Sequence, residues 1–317
     1  MVERPEELVE LLPGAQPFLD REAEALAGAP RRGLVLVHDL SGEFDAASAA
    51  ALAGAHLLAS LPNEVIARFD TDTLVDYRAH RPRVTFTGDR YETYTPPEIL
   101  LYAVEDDAGE PFLLLHGIEP DYRWERFVAA VSTLVERLGV TTLAALQAIP
   151  MPVPHTRPVT VTAHATRRQL IEDYPVYWAE MRIPGSVPAL IEMRMGEGGV
   201  DALGVAAHVP HYLAQATFPA ASLTLLEHLE RLTGLHLPTE ALREAAEANR
   251  TEIDEQIAQS PENVAVVHAL EQQFDNFQAA REGTGLLGSA GEMPSGDQLA
   301  GELERFLAEQ DRRRPRE

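Results

Sequence analysis

The sequence contains no cysteine and no lysine, and both absences restrict its chemistry. Without cysteine there is no thiol nucleophile, disulfide, thiolate zinc site or cysteine-held iron–sulfur cluster. All 26 basic residues are arginine, which excludes a Walker-type phosphate lysine, a Schiff-base lysine and pyridoxal phosphate attachment. A catalyst would have to use serine, threonine, tyrosine, histidine, acidic residues or arginine, and no cofactor is expected.

Positive charge is also scarce. Against 26 basic residues there are 50 acidic ones, a net charge of −24 that would repel phosphate backbones and anionic lipid. We therefore expect no nucleic-acid partner and no membrane-surface role. The start of the sequence lacks a basic, apolar signal peptide, and no apolar run approaches the roughly 18 residues of a membrane span, so we expect a cytoplasmic protein.

Short apolar runs alternate with helical patterns over the first 238 residues. Such alternation predicts an α/β sandwich, with helices on both faces of a central sheet. Helices are predicted at residues 46–60, at 124–138 before Gly139, and from Pro219 to Gly234. The predicted strands are residues 34–38, 64–69, 84–87, 99–104, 112–116, 142–149, 159–165, 189–195 and 203–208.

The composition changes at residue 239. Residues 239–282 carry ten acids against three arginines, with apolar residues at helical spacing, and Ser260-Pro261 is typical of a helix start. We predict two antiparallel helices joined at residues 259–261. This hairpin either covers a sheet edge or acts as a partner-binding arm. The acids expected on its outer face are Glu244, Glu247, Glu255 and Glu271.

The remaining residues, 283–317, are predicted to form a flexible linker and tail, with a short amphipathic helix at 299–310. The predicted domains are thus residues 1–238, 239–282 and 283–317.

The tripeptide Val-Pro-His occurs at residues 153–155 and again at 209–211. The first copy lies in a proline-rich segment, residues 149–158, that we expect to be a stiff extended strut at a strand end carrying His155 and Arg157. Either these side chains bind a ligand there, or His155 is framework bonded to a carbonyl. His208 and His211 stand three residues apart, about 10 Å in extended chain, so no metal site is expected.

Residues 115–121 supply His116, Glu119 and Asp121 just before a predicted helix. The N-terminal amides of that helix, together with Arg78, Arg81 or Arg157, could bind a phosphate or stabilise an oxyanion beside these residues. Alternatively, Asp121 caps the helix and Glu119 pairs with an arginine. Because spacing alone pairs no nucleophile with a base, no catalytic residue is assigned. The residues that remain candidates are His116, Glu119, Asp121, His155 and Arg157.

Four ordered motifs resemble the actinobacterial branch of the proteasome assembly chaperone 2 (PAC2) family over about residues 33–237. They are residues 74–78 with Arg81-Pro82, 115–121 with Trp124, 153–158, and 208–212. The resemblance implies a phosphorylase/hydrolase-like fold with a central mixed sheet, and self-association as a homo-oligomer, such as a trimer. For eukaryotic and archaeal relatives it also implies ATP-independent chaperoning of proteasome assembly.

The sequence departs from the family in two places. Relatives that dock on the proteasome tend to end in hydrophobic-Tyr-X, whereas this sequence ends Arg-Pro-Arg-Glu. The loop after residue 38 keeps Asp45-Ala46 but lacks the glycine that often follows them.

Two functions remain open. We expect a non-enzymatic oligomeric chaperone or scaffold whose partners are itself, through an apolar patch at residues 210–218, and proteasome subunits or another protein. The alternative is a small-molecule hydrolase or phosphorylase that uses the residues at the strand ends.

Overall fold

A computed structural model describes residues 4–26, 33–177 and 180–284. Its main sheet has eight strands in the order β1-β3-β6-β7-β2-β8-β10-β9. The four strands β7, β2, β8 and β10 pair in parallel, whereas the pairs toward both edges are antiparallel. The strands are β1 Val9–Leu11, β2 Leu34–Ser41, β3 Asn63–Phe69, β4 Arg83–Thr87, β5 Arg90–Thr95, β6 Ile99–Glu105, β7 Pro111–Ile118, β8 Val140–Met151, β9 Val161–Ala165 and β10 Asp201–Pro210.

Helices cover both faces of this sheet, which confirms the predicted α/β sandwich with a mixed sheet. One apolar core lies under α2 and α6, and the other lies under α4 and α5. Strands buried on both faces need apolar side chains at every position, so they read as continuous apolar runs. The helices are α1 Gln16–Leu26, α2 Ala49–Ser60, α3 Thr71–Leu74, α4 Trp124–Leu138, α5 Val187–Glu197, α6 Pro219–Thr233, α7 Glu240–Ala258 and α8 Pro261–Thr284.

One predicted strand, residues 189–195, is wrong, because this segment lies within helix α5. The Ser186 hydroxyl accepts a hydrogen bond from the Ala189 backbone N–H, and Pro188 lies in the first turn, as at many helix starts. Ile191 and Met195 are buried one helical turn apart. A short apolar run does not by itself distinguish a buried helix from a strand.

Strands β4 and β5 lie outside the main sheet and form a two-stranded ribbon. The predicted strand at residues 84–87 is confirmed as β4, yet every residue of both strands is exposed. The ribbon therefore adds nothing to either core.

The loop after β2 adopts an uncommon backbone conformation. Ala47 and Ser48 both have left-handed geometry, with φ of 59° and 52°. Glycine adopts this conformation at lower cost, so the family's missing glycine would fit at Ala47. The Asp45 carboxylate accepts hydrogen bonds from the backbone N–H groups of Ala50 and Ala51 and so fixes the start of α2.

The predicted C-terminal helical hairpin is confirmed as α7 and α8, joined at Gln259 and Ser260. Helix α7 packs on α6 and buries Leu242 and Ile253 in the core beneath it. The linker beyond residue 284 and the helix predicted at 299–310 lie outside the described residues. The domain boundaries at 238 and 282 stay predictions.

None of the described helices combines the length and the apolar character that crossing a membrane requires.

Candidate functional site

The two Val-Pro-His segments lie side by side, because β8 and β10 are parallel neighbours and Met151 pairs with Pro210 at their ends. The backbone N–H of His155 donates to the hydroxyl of Tyr212 at 2.9 Å, and that hydroxyl also bonds ring Nδ1 at 2.6 Å. Ring Nε2 lies 3.0 Å from the carboxylate of Asp254 on α7. His155 is thus buried, and its backbone N–H and both ring nitrogens have partners. The prediction that its ring bonds a backbone carbonyl is wrong.

Arg157 fastens the same strut to helix α8. Its guanidinium makes two parallel hydrogen bonds to the carboxylate of Asp275, at 2.8 and 2.7 Å, and a third to Glu271 at 3.1 Å. Thr156 donates to the same oxygen of Glu271 at 2.6 Å, and this bond is the largest reason why the pKa of Glu271 is lowered. Paired hydrogen bonds between arginine and a carboxylate fix orientation as well as distance.

Glu271 is therefore not on the outer face of the hairpin, contrary to the prediction. The other three acids chosen for that face, Glu244, Glu247 and Glu255, are exposed. Strut and hairpin form one junction, which we define as His155, Arg157, Tyr212, Asp254 and Asp275.

His208 and His211 do not converge on a common site. The ring of His208 is buried between the hydroxyls of Thr160 and Thr162, each at 2.8 Å, and burial lowers its pKa to about 4. His211 is exposed and touches Tyr212 edge-to-face. In the described part of the chain, no three histidine or acidic side chains are grouped so that they could hold a metal ion.

The third strand-end feature is a pair formed by Asp39 on β2 and His116 on β7. Asp39 Oδ2 lies 2.8 Å from Nδ1 of His116, because the two residues are register partners on adjacent parallel strands. Helix α2 covers the pair, and its Gly54 lies so close that a methyl group there would overlap Asp39 Oδ2. An acid that holds Nδ1 leaves Nε2 available for acid–base chemistry.

Burial dominates the electrostatics of this pair. Asp39 is fully buried, which raises its pKa to about 7 even though the bond to His116 acts in the opposite direction. Its Oδ1 has no hydrogen-bond partner among the described residues. For His116, burial lowers the pKa, but the hydrogen bond and charge of Asp39 outweigh it and the net pKa is raised.

The titration of Asp39 should be visible in the pH dependence of stability. Its pKa is 3.8 in an unfolded chain and about 7 in the fold. Its contribution to the free energy of unfolding is therefore complete below pH 3.8, and it is lost as the pH rises through 7. Asparagine does not titrate. We expect the melting temperature of Asp39→Asn, relative to the parent, to rise by several degrees from pH 4 to pH 7. Parallel profiles would show that Asp39 does not titrate in the fold.

Glu119 forms a hydrogen bond to the start of a helix and not the expected pair with an arginine. One oxygen of its carboxylate accepts the backbone N–H of Val187, in the first turn of α5, at 2.6 Å. Burial is the main cause of its raised pKa. The prediction that Glu119 pairs with an arginine is therefore wrong. The residue instead connects the end of β7 to α5.

Asp121 does not cap α4, contrary to the prediction. The N-cap of α4 is Arg123, in left-handed geometry and without a side-chain cap. The Asp121 carboxylate instead accepts the backbone N–H of Asp76 at 2.6 Å and lies 3.2 Å from Nε2 of His80. It thereby ties the segment leading to the ribbon to the end of β7.

The five candidate residues thus have five different sets of partners, and only His155 and Arg157 share a junction. An open cleft of about 750 Å³ lies near the strand ends, between the loop after β2 and residues 214–217. None of the five candidates lines it.

Sequence reasoning missed Asp39, for which the available signal was an acid inside the apolar run of β2.

The chain was compared with known protein families, curated proteins and solved structures. A model of the PAC2 family matches residues 40–257. A search of curated proteins found no match.

The solved structures that are similar to this chain include the following three. A Mycobacterium tuberculosis protein of unknown function is 44% identical, with a TM-score of 0.81, over 90% of this chain and 95% of the other. A Mycobacterium tuberculosis proteasome-assembly chaperone homologue is 28% identical, with a TM-score of 0.68, over 74% of this chain and 100% of the other. A PAC2 family protein from Streptomyces avermitilis is 32% identical, with a TM-score of 0.66, over 74% and 99%.

Proposed function

This chain belongs to the PAC2 family, and from that premise we propose that it acts without catalysis, as an oligomeric assembly chaperone or scaffold for other proteins. The observation that carries the proposal is the junction between strut and hairpin. Two of the candidate side chains for binding a substrate at the strand end, His155 and Arg157, are bonded to the hairpin instead. Their chemistry serves to position the hairpin.

The hairpin presents an acidic surface on α7. Glu244, Glu247 and Glu255 are exposed, and the hairpin has seven more acids than arginines. Complementary charge gives a protein interface its specificity and association rate, so a basic surface on another subunit is the partner that fits. A relative with this fold is described as a proteasome-assembly chaperone homologue, so proteasome subunits are the first partners to test.

The alternative of a small-molecule hydrolase or phosphorylase has one observation in its favour, the pair of Asp39 and His116. In covalent catalysis, a pair of this kind activates a side-chain hydroxyl that lies within hydrogen-bond reach of the histidine. Within the described ranges, His116 has Asp39 as its side-chain partner, which is a carboxylate and not a hydroxyl. The pair therefore supports the fold more directly than it supports a reaction.

We expect the triple variant Glu244→Gln/Glu247→Gln/Glu255→Gln to lose most of its partner binding while its melting temperature changes by a few degrees at most. Exposed charges contribute little to stability, on the order of half a kcal/mol each. Binding is measured by co-purification and by titration against purified proteasome α-type subunits.

The matched control removes three exposed acids from the body of the protein, with Glu105, Glu136 and Glu180 replaced by glutamine. Its net charge changes equally, so it should keep the partner. If the hairpin variant and the parent recover the same proteins with the same affinity, the acidic face of α7 is not the binding surface.

A further inference from the structure

A partly enclosed apolar pocket of about 160 Å³ lies between the strut and helix α8. The strut contributes residues 151–153 to its lining, just where β8 ends, and α8 contributes residues from its second half. Protein interiors are close-packed and contain few voids larger than a water molecule. An apolar pocket of this size, with a few polar groups in its walls, is a candidate binding site.

The pocket interrupts the inner face of α8. Val267 and Leu270 on this face are buried, with 7% and 8% of their surface exposed. Phe274 and Phe277 continue the same face at helical spacing, but they are only half-buried and line the pocket. The inner face of α8 is therefore incompletely packed where it passes the strut.

Aromatic rings form much of the pocket wall. The ring of Tyr177 lies nearly parallel to that of Phe277, at an angle of 21° and with centroids 6.3 Å apart. Tyr177 also meets the buried ring of His208 edge-to-face, with centroids 5.7 Å apart. Stacked and edge-to-face contacts between rings add to the gain from burying apolar area, so such a wall favours an aromatic ligand.

The lining does not suit a charged ligand. Among the described residues that form it there is no acid and no arginine. His208 is neutral near pH 7, because burial lowers its pKa to about 4. A charged molecule would lose its hydration in the pocket without gaining an oppositely charged partner. The exposed amide of Gln273 can bond one polar group of a neutral ligand.

We propose that this pocket binds a small uncharged aromatic molecule, about the size of phenol. An apolar cavity of about 150 Å³ is large enough to hold benzene, so the space here accommodates one ring with a small substituent. The inference goes beyond the proposed function, because binding is measured on the protein alone and requires no partner.

A ligand in this pocket also holds the hairpin in place. It touches the strut on one side and α8 on the other, close to the junction where Arg157 bonds Asp275. Such a ligand binds only when α8 is docked on the strut. By linkage, it stabilises the docked arrangement by the same factor by which docking raises its own affinity.

The first test measures binding to the full-length protein with three probes of similar size. Phenol is an uncharged aromatic at neutral pH, cyclohexanol has the same hydroxyl without the aromatic ring, and benzoate has the ring with a negative charge. Isothermal titration and saturation-transfer NMR measure the affinities. We expect phenol to bind saturably at one site per chain, cyclohexanol several-fold more weakly, and benzoate at least about tenfold more weakly.

Two variants test the location. Val153→Phe places a ring in the pocket and should weaken phenol binding by about tenfold or more, since the ligand can no longer be buried there. Phe277→Leu keeps an apolar side chain but removes the ring, and should weaken binding several-fold. The matched control is Val266→Phe, on the exposed face of α8 and away from the pocket, which should bind like the parent. Circular dichroism and melting temperature show that each variant is folded, and Phe277→Leu still tests the site if Val153→Phe is not.

Hydrogen exchange tests the effect on the hairpin. With phenol at ten times its dissociation constant, amides that exchange through undocking of α8 should exchange about tenfold more slowly. Benzoate at the same concentration should leave them unchanged.

Each other outcome counts against a specific statement. If phenol shows no saturable binding, the proposal fails, and an apolar side chain of another protein becomes the better occupant. If Val153→Phe and Phe277→Leu bind phenol as the parent does, the site is elsewhere. Equal affinity for cyclohexanol or benzoate overturns the class of ligand. Unchanged exchange of α8 with phenol bound overturns the link to the hairpin.

Discussion

Substituting Gly54 by alanine is expected to lower the free energy of unfolding by about 3–5 kcal/mol, the size of effect seen when a buried charged pair is broken. In an ordinary helix the same change has the opposite sign and stabilises by roughly 1 kcal/mol. Gly54 lies in the middle of α2, so the local preference of the backbone favours alanine. The packing beneath it decides the outcome.

The added methyl group would lie 1.6 Å from Asp39 Oδ2 and 3.0 Å from His116 Nδ1. Asp39 is fully buried and bonded to His116, so the carboxylate cannot move away without losing that bond. Its other oxygen already lacks a partner among the described residues. A second orphaned oxygen in an apolar environment adds a further penalty.

Chemical denaturation of three further variants checks this explanation. Ala55→Gly, at the neighbouring exposed position, should show only the ordinary helix penalty of about 1 kcal/mol. In an Asp39→Ala background, Gly54→Ala should cost almost nothing, because the overlapping carboxylate is gone. If Gly54→Ala is as stable as the parent, α2 does not pack tightly enough on Asp39 for a methyl group to overlap it.

The double variant His155→Ala/Arg157→Ala is expected to release helix α8 from the body and to lower the melting temperature of the protein by several degrees. The change removes hydrogen bonds to three acids and leaves the Tyr212 hydroxyl with only the backbone N–H of residue 155 from the strut. The bonds of His155 lie in the interior and matter most to stability, whereas solvent screens those of Arg157, which chiefly fix the position of α8. Helix α7 should stay in place, because Leu242 and Ile253 anchor it in the core.

Hydrogen exchange resolves the two helices separately. We expect amides of α8 to exchange at least tenfold faster in the double variant, with α7 much less affected. The control is Arg167→Ala, which removes a comparable paired contact with Asp201 far from the hairpin in sequence. Unchanged protection of α8 in the double variant would show that the strut does not hold the hairpin.

The sequence predicts the alternating elements of this fold well, because each depends on local patterns. Helix α4 ends at Leu138 before Gly139, as its spacing predicts, and that glycine has the left-handed geometry of a helix end. The strand predicted at 189–195 failed because the same apolar residues suit a buried helix. Periodicity distinguishes these cases poorly over so few residues.

The side-chain partners could not be predicted in the same way. His155 and Asp254 are 99 positions apart, and Arg157 and Asp275 are 118 apart, so no local spacing connects them. Their contact depends on how α7 packs on α6. Asp39 and His116 meet only because β2 and β7 are neighbours, which the order of strands along the chain does not specify.

The same separation affects synthesis on the ribosome. The strut is translated about a hundred residues before the carboxylates that hold it, an interval on the order of 5–20 seconds at common elongation rates. During that time His155 and Arg157 have no acid from the hairpin to bind. The emerging sheet therefore exposes a cationic strand end to other proteins until its own C-terminal helices arrive. A nascent chain stopped before residue 239 would display that surface permanently.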